Sequence, residues 1–414
     1  MAAPFIQLAL VPYMLRHMGA EQFGLWVLSM SFLGLMQFVS LGSSAALISE
    51  ISHRQHSGRQ ASVEGLVRCA VAIVLCGSAV SMLVVWAVTP LLPPEAPRWG
   101  VNRLALHVAL TVMVIAVCEI DNLFANSLRG LERFDVAARI ELAGRAVWAL
   151  AVVIVVATTG SAVAVLLVTL GLTLLKAALK AWAVQRLLQP RRPVWWPEFS
   201  RSEAHTLVSF GGWALLHSVA GLLFLSADRW FIAASLGATS LALYTICLQF
   251  AQISHTLLSA ALQVIVPFTS RALGAGNVEA LFHHGMRGAA WAAAACLLVP
   301  AFLAAFAPII LTLWISPAFA TENTGVARRL LLAFAVLCVN IPSHFMLIGL
   351  GDIRFVSLLN LLAGCVCAVL LLLLDPIDLQ GFADVRILYG MLLLTSWWRV
   401  HQKLRTLMPA STGG

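Results

Sequence analysis

Charge is scarce in this sequence. Only 11% of its residues are Asp, Glu, Lys or Arg, against about 25% in an ordinary soluble domain. With 61% of the residues hydrophobic and a mean hydropathy of +0.92, a surface facing water could not be covered, so most of it must face lipid. Alternating segments of strand length are missing, which argues against a closed barrel. The apolar stretches are long and continuous, as membrane-spanning helices require. No Gly-rich phosphate loop followed by Lys-Ser/Thr is present, so no ATP motor is encoded. A Ser-His-Asp signature, a metalloprotease motif and a soluble catalytic domain are missing too; the expectation is a protein that is not an enzyme and carries no cofactor. The eight cysteines all fall in apolar stretches without metal or disulfide spacing; small core residues are expected, and no metal. Met1 is followed by Ala-Ala-Pro without a basic segment, so no cleavable signal peptide is expected.

What charge there is has a pattern. The net charge of +8 would suggest nucleic acid in a soluble protein. Here the basic residues sit in short loops, so they report orientation instead, and no nucleic-acid partner is expected. The expected spans are roughly 2–18, 22–49, 66–92, 103–128, 136–158 and 161–187, then 207–235, 239–268, 286–315, 326–349, 353–374 and 382–398. Counting loops alternately, 18 of the 26 lysines and arginines fall on one side and six on the other, with Arg145 and Arg229 inside spans. The positive-inside rule then places both termini in the cytoplasm.

The two sets of six spans are related. His17-Met-Gly-Ala-Glu-Gln-Phe-Gly-Leu-Trp26 aligns with Ser235-Leu-Gly-Ala-Thr-Ser-Leu-Ala-Leu-Tyr244 at an offset of 218, Leu128-Arg-Gly-Leu131 with Leu347-Ile-Gly-Leu350 at 219, and Leu142-Ala-Gly144 with Leu362-Ala-Gly364 at 220. An even number of spans per copy makes this a parallel repeat, a common transporter plan. The fold class expected is an all-α membrane protein with about 12 transmembrane helices in two parallel-repeat six-helix lobes around a central cavity: residues 1–188, a cytoplasmic linker at 189–206, and residues 207–414 ending in a short cytoplasmic tail. The linker contains Gln189-Pro-Arg-Arg-Pro-Val-Trp-Trp-Pro197, whose prolines exclude a regular helix and whose tryptophans suit a membrane interface. The repeat also starts the first span before residue 1, so either that span is clipped or the chain begins upstream of Met1.

Ionisable groups inside spans are costly and tend to be functional. Span 4 carries Glu119 and Asp121 beside an Asn122–Asn126 pair. Span 5 carries Glu141 and Arg145 at the favourable i, i+4 order. These form either a polar, partly cationic wall for an anionic headgroup or a coupling ion, or an internal salt bridge locking spans 4 and 5. Span 7 carries Asp228 and Arg229, at least one of which must avoid lipid. Arg16, near the outer end of span 1, either snorkels to the interface or lines a cavity mouth. Lys176 and Lys180, near the inner end of span 6, are expected to snorkel. Gln249, Gln252 and His255 lie roughly along one face of span 8. Asn340 and His344 flank Pro342, which should kink span 10. They are candidates for a cavity wall, or polar glue between helices. His283 and His284 are expected in solvent.

These motifs carry a resemblance. Pro12 to Trp26 is similar to the opening of O-antigen and polysaccharide flippases of the multidrug/oligosaccharidyl-lipid/polysaccharide superfamily, as are Ser209-Phe-Gly-Gly-Trp213, Ser226-Ala-Asp-Arg229, Leu236-Gly237 before Tyr244, Val266-Pro267 and Leu350-Gly-Asp-Ile-Arg354. The resemblance covers nearly the whole chain. It implies a two-lobed bundle opening alternately to each face and moving undecaprenyl-diphosphate-linked glycan from the inner to the outer leaflet of the bacterial inner membrane, with a polysaccharide polymerase or other assembly proteins as partners beside membrane lipid. Asp228 and Arg229 match the family pattern in span 7; Glu119, Asp121, Glu141 and Arg145 rest on physics alone. A multidrug or small-molecule exporter of the same superfamily would share the fold. A cationic cavity disfavours cationic drugs, though acids and bases within the spans nearly balance. A membrane enzyme such as a polymerase or ligase would resemble proteins with a large periplasmic loop, which this sequence lacks.

Overall fold

Apolar runs of this length can satisfy their backbone groups in lipid by forming helices. The computed structural model describes residues 2–32, 43–56, 60–88, 101–190, 192–207, 226–374 and 378–408, and no strand occurs among them. Eight helical stretches of the described residues are long and apolar enough to cross a membrane: Ser62–Val80, Leu106–Gly130, Phe134–Thr159, Ala162–Leu188, Gly237–Gly274, Leu281–Trp314, Pro317–Gly349 and Ile353–Leu374. The protein is a multi-pass, all-α membrane protein. The expected spans at 22–49, 66–92 and 207–235 fall partly outside the described residues. The chain divides into two compact units, Met1–Ala234 and Ser235–Gly414.

The first unit contains α1 (Ala2–Ser31), α2 (Ser43–His56), α3 (Gln60–Val88), α4 (Val101–Gly130), α5 (Phe134–Thr159) and α6 (Ala162–Leu188). α1 is broken at Gly19, whose φ of 76° and ψ of 165° lie outside the helical range. The break falls between the two spans expected at 2–18 and 22–49. Gly160 ends α5 in the left-handed region at φ 57°, and a Cβ there would lie 2.9 Å from the His17 carbonyl oxygen. Backbone conformation and space therefore both require glycine between α5 and α6. α4 and α6 pack together through Leu110, Val114, Leu166 and Leu170.

Residues 189–206 lie within this unit and are docked on it. Val194 and Leu207 are buried in a core shared with Leu66, Ala70, Phe124 and Val184. Arg54 holds Glu203 through two hydrogen bonds of 2.9 and 2.7 Å, and Glu203 is the main reason the pKa of Arg54 rises above its ordinary value. Arg68 pairs with Glu198.

The second unit contains α7 (Gly237–Leu262), α8 (Ile265–Gly274), α9 (Met286–Cys296), α10 (Leu298–Trp314), α11 (Pro317–Gly349), α12 (Ile353–Leu374), α13 (Leu379–Leu393) and α14 (Thr395–Leu407), with a π-helical turn at Leu281–Gly285. α11 runs through its centre. Its start is specified locally: Ser316 caps Phe319 N, and Pro317 occupies the first turn. Asp378 caps α13 in the same way through Gly381 N. The span expected at 382–398 is made of α13 and α14, meeting at Leu394.

Candidate functional site

Helices α5 and α6 leave the Gly160 turn as neighbours. Both rise about 1.5 Å per residue, so residues equally far from the turn meet at one height. Glu141 precedes Gly160 by 19 residues and Lys180 follows it by 20. They meet accordingly: Lys180 Nζ lies 3.1 Å from Glu141 Oε2. Lys176, one turn away, lies 3.3 Å from the same oxygen. α4 contributes Asp121, whose carboxylate takes Lys180 at 2.7 Å and Lys176 at 3.2 Å. Glu141 Oε1 accepts from Arg145 Nε at 3.0 Å. Five charged side chains from three helices thus form one network.

The network grades from the interior outward. Lys180 is 1% and Asp121 6% exposed at the side chain, whereas Arg145 is 48% exposed. Burying such charges is tolerable only because each finds an opposite partner. Arg145 differs in having capacity left over. Its Nε bonds Glu141, and its two terminal amino groups have no partner among the described residues. Three cations against two carboxylates leave this group one positive charge in excess. Gly144 sits beneath it: a Cβ there would lie 2.4 Å from Lys176 Cδ, so glycine lets the lysine stem cross α5. Glu119 is buried on α4, two residues before Asp121.

The snorkelling expected of Lys176 and Lys180 is therefore not what the structure shows. Carboxylates of two neighbouring helices hold both amines, and the signal for it was their distance from the α5–α6 turn. Arg386, within the span expected at 382–398, is also buried, 6% exposed on α13, with its guanidinium carbon 5.7 Å from the Phe334 ring centre.

The other candidates lie elsewhere. Asp228 is buried and accepts from the Arg229 backbone N at 2.9 Å. Its segment is tied to the end of α1, where Ser226 donates to Ser31 O and Trp230 Nε1 to Ser31 Oγ, both at 2.9 Å. Arg16 is exposed three residues before the Gly19 break. In the second unit Gln249 Oε1 is buried without a partner among the described residues, and Gln252 is half-buried on the same helix. Asn340 is used between helices: its Nδ2 donates to Val336 O at 3.0 Å and Gly390 O at 3.1 Å, and Ser396 reaches its Oδ1 at 3.4 Å.

A family model described as polysaccharide biosynthesis protein matches residues 1–273. No curated protein matches. Among solved structures, an inward-facing multidrug resistance MATE family transporter of the MOP superfamily is 15% identical with a TM-score of 0.75, covering 98% of this chain and 96% of its own. A MOP superfamily transporter from Pyrococcus furiosus, whose reversed binding-pocket polarity is said to suggest a different function, is 15% identical with a TM-score of 0.62, covering 98% and 93%. An outward-facing MATE transporter is 16% identical with a TM-score of 0.60, covering 97% and 92%. At such identities these structures establish the fold alone.

Proposed function

Because the chain belongs to the polysaccharide biosynthesis protein family and has the fold of MOP-superfamily transporters, we propose that it is a flippase, moving undecaprenyl-diphosphate-linked oligosaccharide from the inner to the outer leaflet of the bacterial inner membrane by alternating access. The observation that carries this reading is Arg145. It lies in a membrane-spanning helix, is half uncovered by protein, and presents two unused amino groups from a network with excess positive charge. A guanidinium with a free edge suits a diphosphate, whose oxygens accept paired hydrogen bonds. Glu141 fixes the guanidinium from below, Lys176 and Lys180 fix Glu141, and Asp121 holds both lysines.

The physical task is to carry a charged headgroup through hydrocarbon. A cationic, hydrated wall replaces the water and counterions that the headgroup leaves behind, while the prenyl tail stays in lipid. No covalent step is needed. A drug exporter of the same fold is the competing reading; for a cationic cargo, the excess positive charge at Arg145 would raise the barrier through like-charge repulsion.

The test uses a deletion strain with and without a plasmid copy, measuring the amount and leaflet of undecaprenyl-linked saccharide. Accumulation on the cytoplasmic side, reversed by the wild-type copy and not by Arg145→Ala or Arg229→Ala at equal membrane abundance, is the expected result. No accumulation, with surface glycan unchanged, would sink the flippase reading and bring drug-efflux assays forward. Full rescue by both variants would remove the two arginines from the site.

A further inference from the structure

The uncovered face of α6 changes character along its length. Leu167, Leu174, Leu175 and Leu179 are exposed in succession, the apolar stripe of a helix facing lipid. The stripe ends in Trp182, 52% exposed, over whose ring Arg186 lies at 4.1 Å from the centroid. Hydrocarbon, amphipathic ring and guanidinium follow one another as they would across a bilayer's interfacial layer.

The segment after α6 returns to this level. Val194 N donates to Gln185 Oε1 at 2.8 Å, one turn inside the end of α6. Glu198 N donates to Arg68 O at 3.3 Å, and Arg68 Nε to Trp196 O at 3.4 Å, six residues inside the Ser62–Val80 span. The backbone from 194 to 198 is thus bolted at the depth of two span ends. From it Trp196 and Phe199 point away from the protein, 61% and 69% exposed. Exposed rings held rigidly by a buried valine and ion pairs are costly in water. Arg192 and Arg201 are exposed beside them and have no partner among the described residues.

We propose that residues 192–201, with Trp182 and Arg186, form a binding surface for anionic phospholipid in the leaflet that the lysine and arginine distribution assigns to the cytoplasm. The rings enter the headgroup layer and the arginines take the lipid phosphates. Charge complementarity and continuity with the apolar stripe of α6 select this occupant over a protein. The linker is then an interfacial anchor fixed to the first unit.

Two measurements on the full-length protein in vesicles of phosphatidylcholine with phosphatidylglycerol test this. First, a fluorophore on Phe199→Cys is compared with one on Ala275→Cys in an exposed turn, with the wild type labelled in parallel to measure the native cysteines. Brominated lipid should quench position 199 and aqueous iodide should not, whereas position 275 should behave in the opposite way. Iodide quenching at 199 equal to that at 275 would overturn the proposal, as would a label that neither quencher reaches, which would mean a protein covers it. Second, the phosphatidylglycerol retained on purification is measured for the wild type and for Arg186→Gln, Arg192→Gln and Arg201→Gln combined. Each arginine near an anionic surface is worth roughly fivefold, so enrichment should fall by at least about fivefold. Unchanged enrichment would defeat it. These substitutions lie at exposed positions, and an unchanged size-exclusion profile excludes a folding defect.

Discussion

At the scale of the residue, the charged network separates two roles that the sequence presents alike. Glu141 and Arg145 were legible as an i, i+4 pair on one helix. Lys176 and Lys180 were legible as basic residues near a helix end, but their partners depend on how α4, α5 and α6 pack, and spacing along one helix reports only its own face. The structure makes Lys180 a buried partner of two carboxylates and Arg145 a half-exposed one. Removing one member of a buried ionic group costs about 3–5 kcal/mol, whereas a half-exposed pair contributes about 0–1 kcal/mol. Lys180→Met should therefore lower the thermal midpoint of the detergent-purified protein by many degrees, and Arg145→Ala should leave it nearly unchanged while abolishing transport. Equal destabilisation by both would show that Arg145 is structural. Gly144→Ala is the companion case: the new methyl displaces Lys176 without removing a charge, so transport should fall more than stability. The double variant Gly144→Ala, Lys176→Ala should regain the packing without regaining transport, as read by thermal midpoint and saccharide accumulation in parallel.

At the scale of the element, α11 shows what patterning reveals and what it conceals. The 326–349 stretch was visible as an apolar run with Asn340, Pro342 and His344 inside it, and its start at Ser316-Pro317 carries a cap. What Asn340 does was not visible, because an amide inside a span can serve a cavity or a neighbouring helix equally well. Here it joins α11 to α13 and α14 through Gly390 O and Ser396. Hydrogen bonds between membrane helices contribute about 0.6 kcal/mol on average and up to about 1.7. Asn340→Leu should accordingly cost roughly 1 kcal/mol, seen as a lowered thermal midpoint, with transport per folded molecule intact. A variant of normal stability and no transport would instead place Asn340 on the substrate path.

At the scale of the whole molecule, the class of fold was legible because lipid allows so few solutions: continuous apolar runs must become helices, and one recurring offset organised them in two halves. The eight spans found among the described residues lie where those runs lie. Orientation is a property of the whole chain as well, set by loop charge and not by any one contact. The turn after α8 is flanked by exposed Arg271 and Arg287. The turn at Ser316 follows a span, Leu281–Trp314, and meets no lysine or arginine until Arg328. The positive-inside rule then assigns the first turn to the cytoplasm and the second to the opposite side. Alkaline phosphatase fused after Ala275 or after Leu407 should be inactive, and active when fused after Ser316; green fluorescent protein should give the reverse pattern. If the phosphatase were active after Ala275 and inactive after Ser316, the protein would be inverted. The end of α6 that carries Trp182 and Arg186 would then face the other leaflet, and the network around Arg145 would be approached from the side opposite to the one that loads a flippase. Because arginine and lysine dominate this bias and acidic residues contribute little, exchanging Arg271 and Arg287 for glutamine should weaken the sidedness of the Ala275 fusion, with phosphatase activity rising at that position before it falls at Ser316.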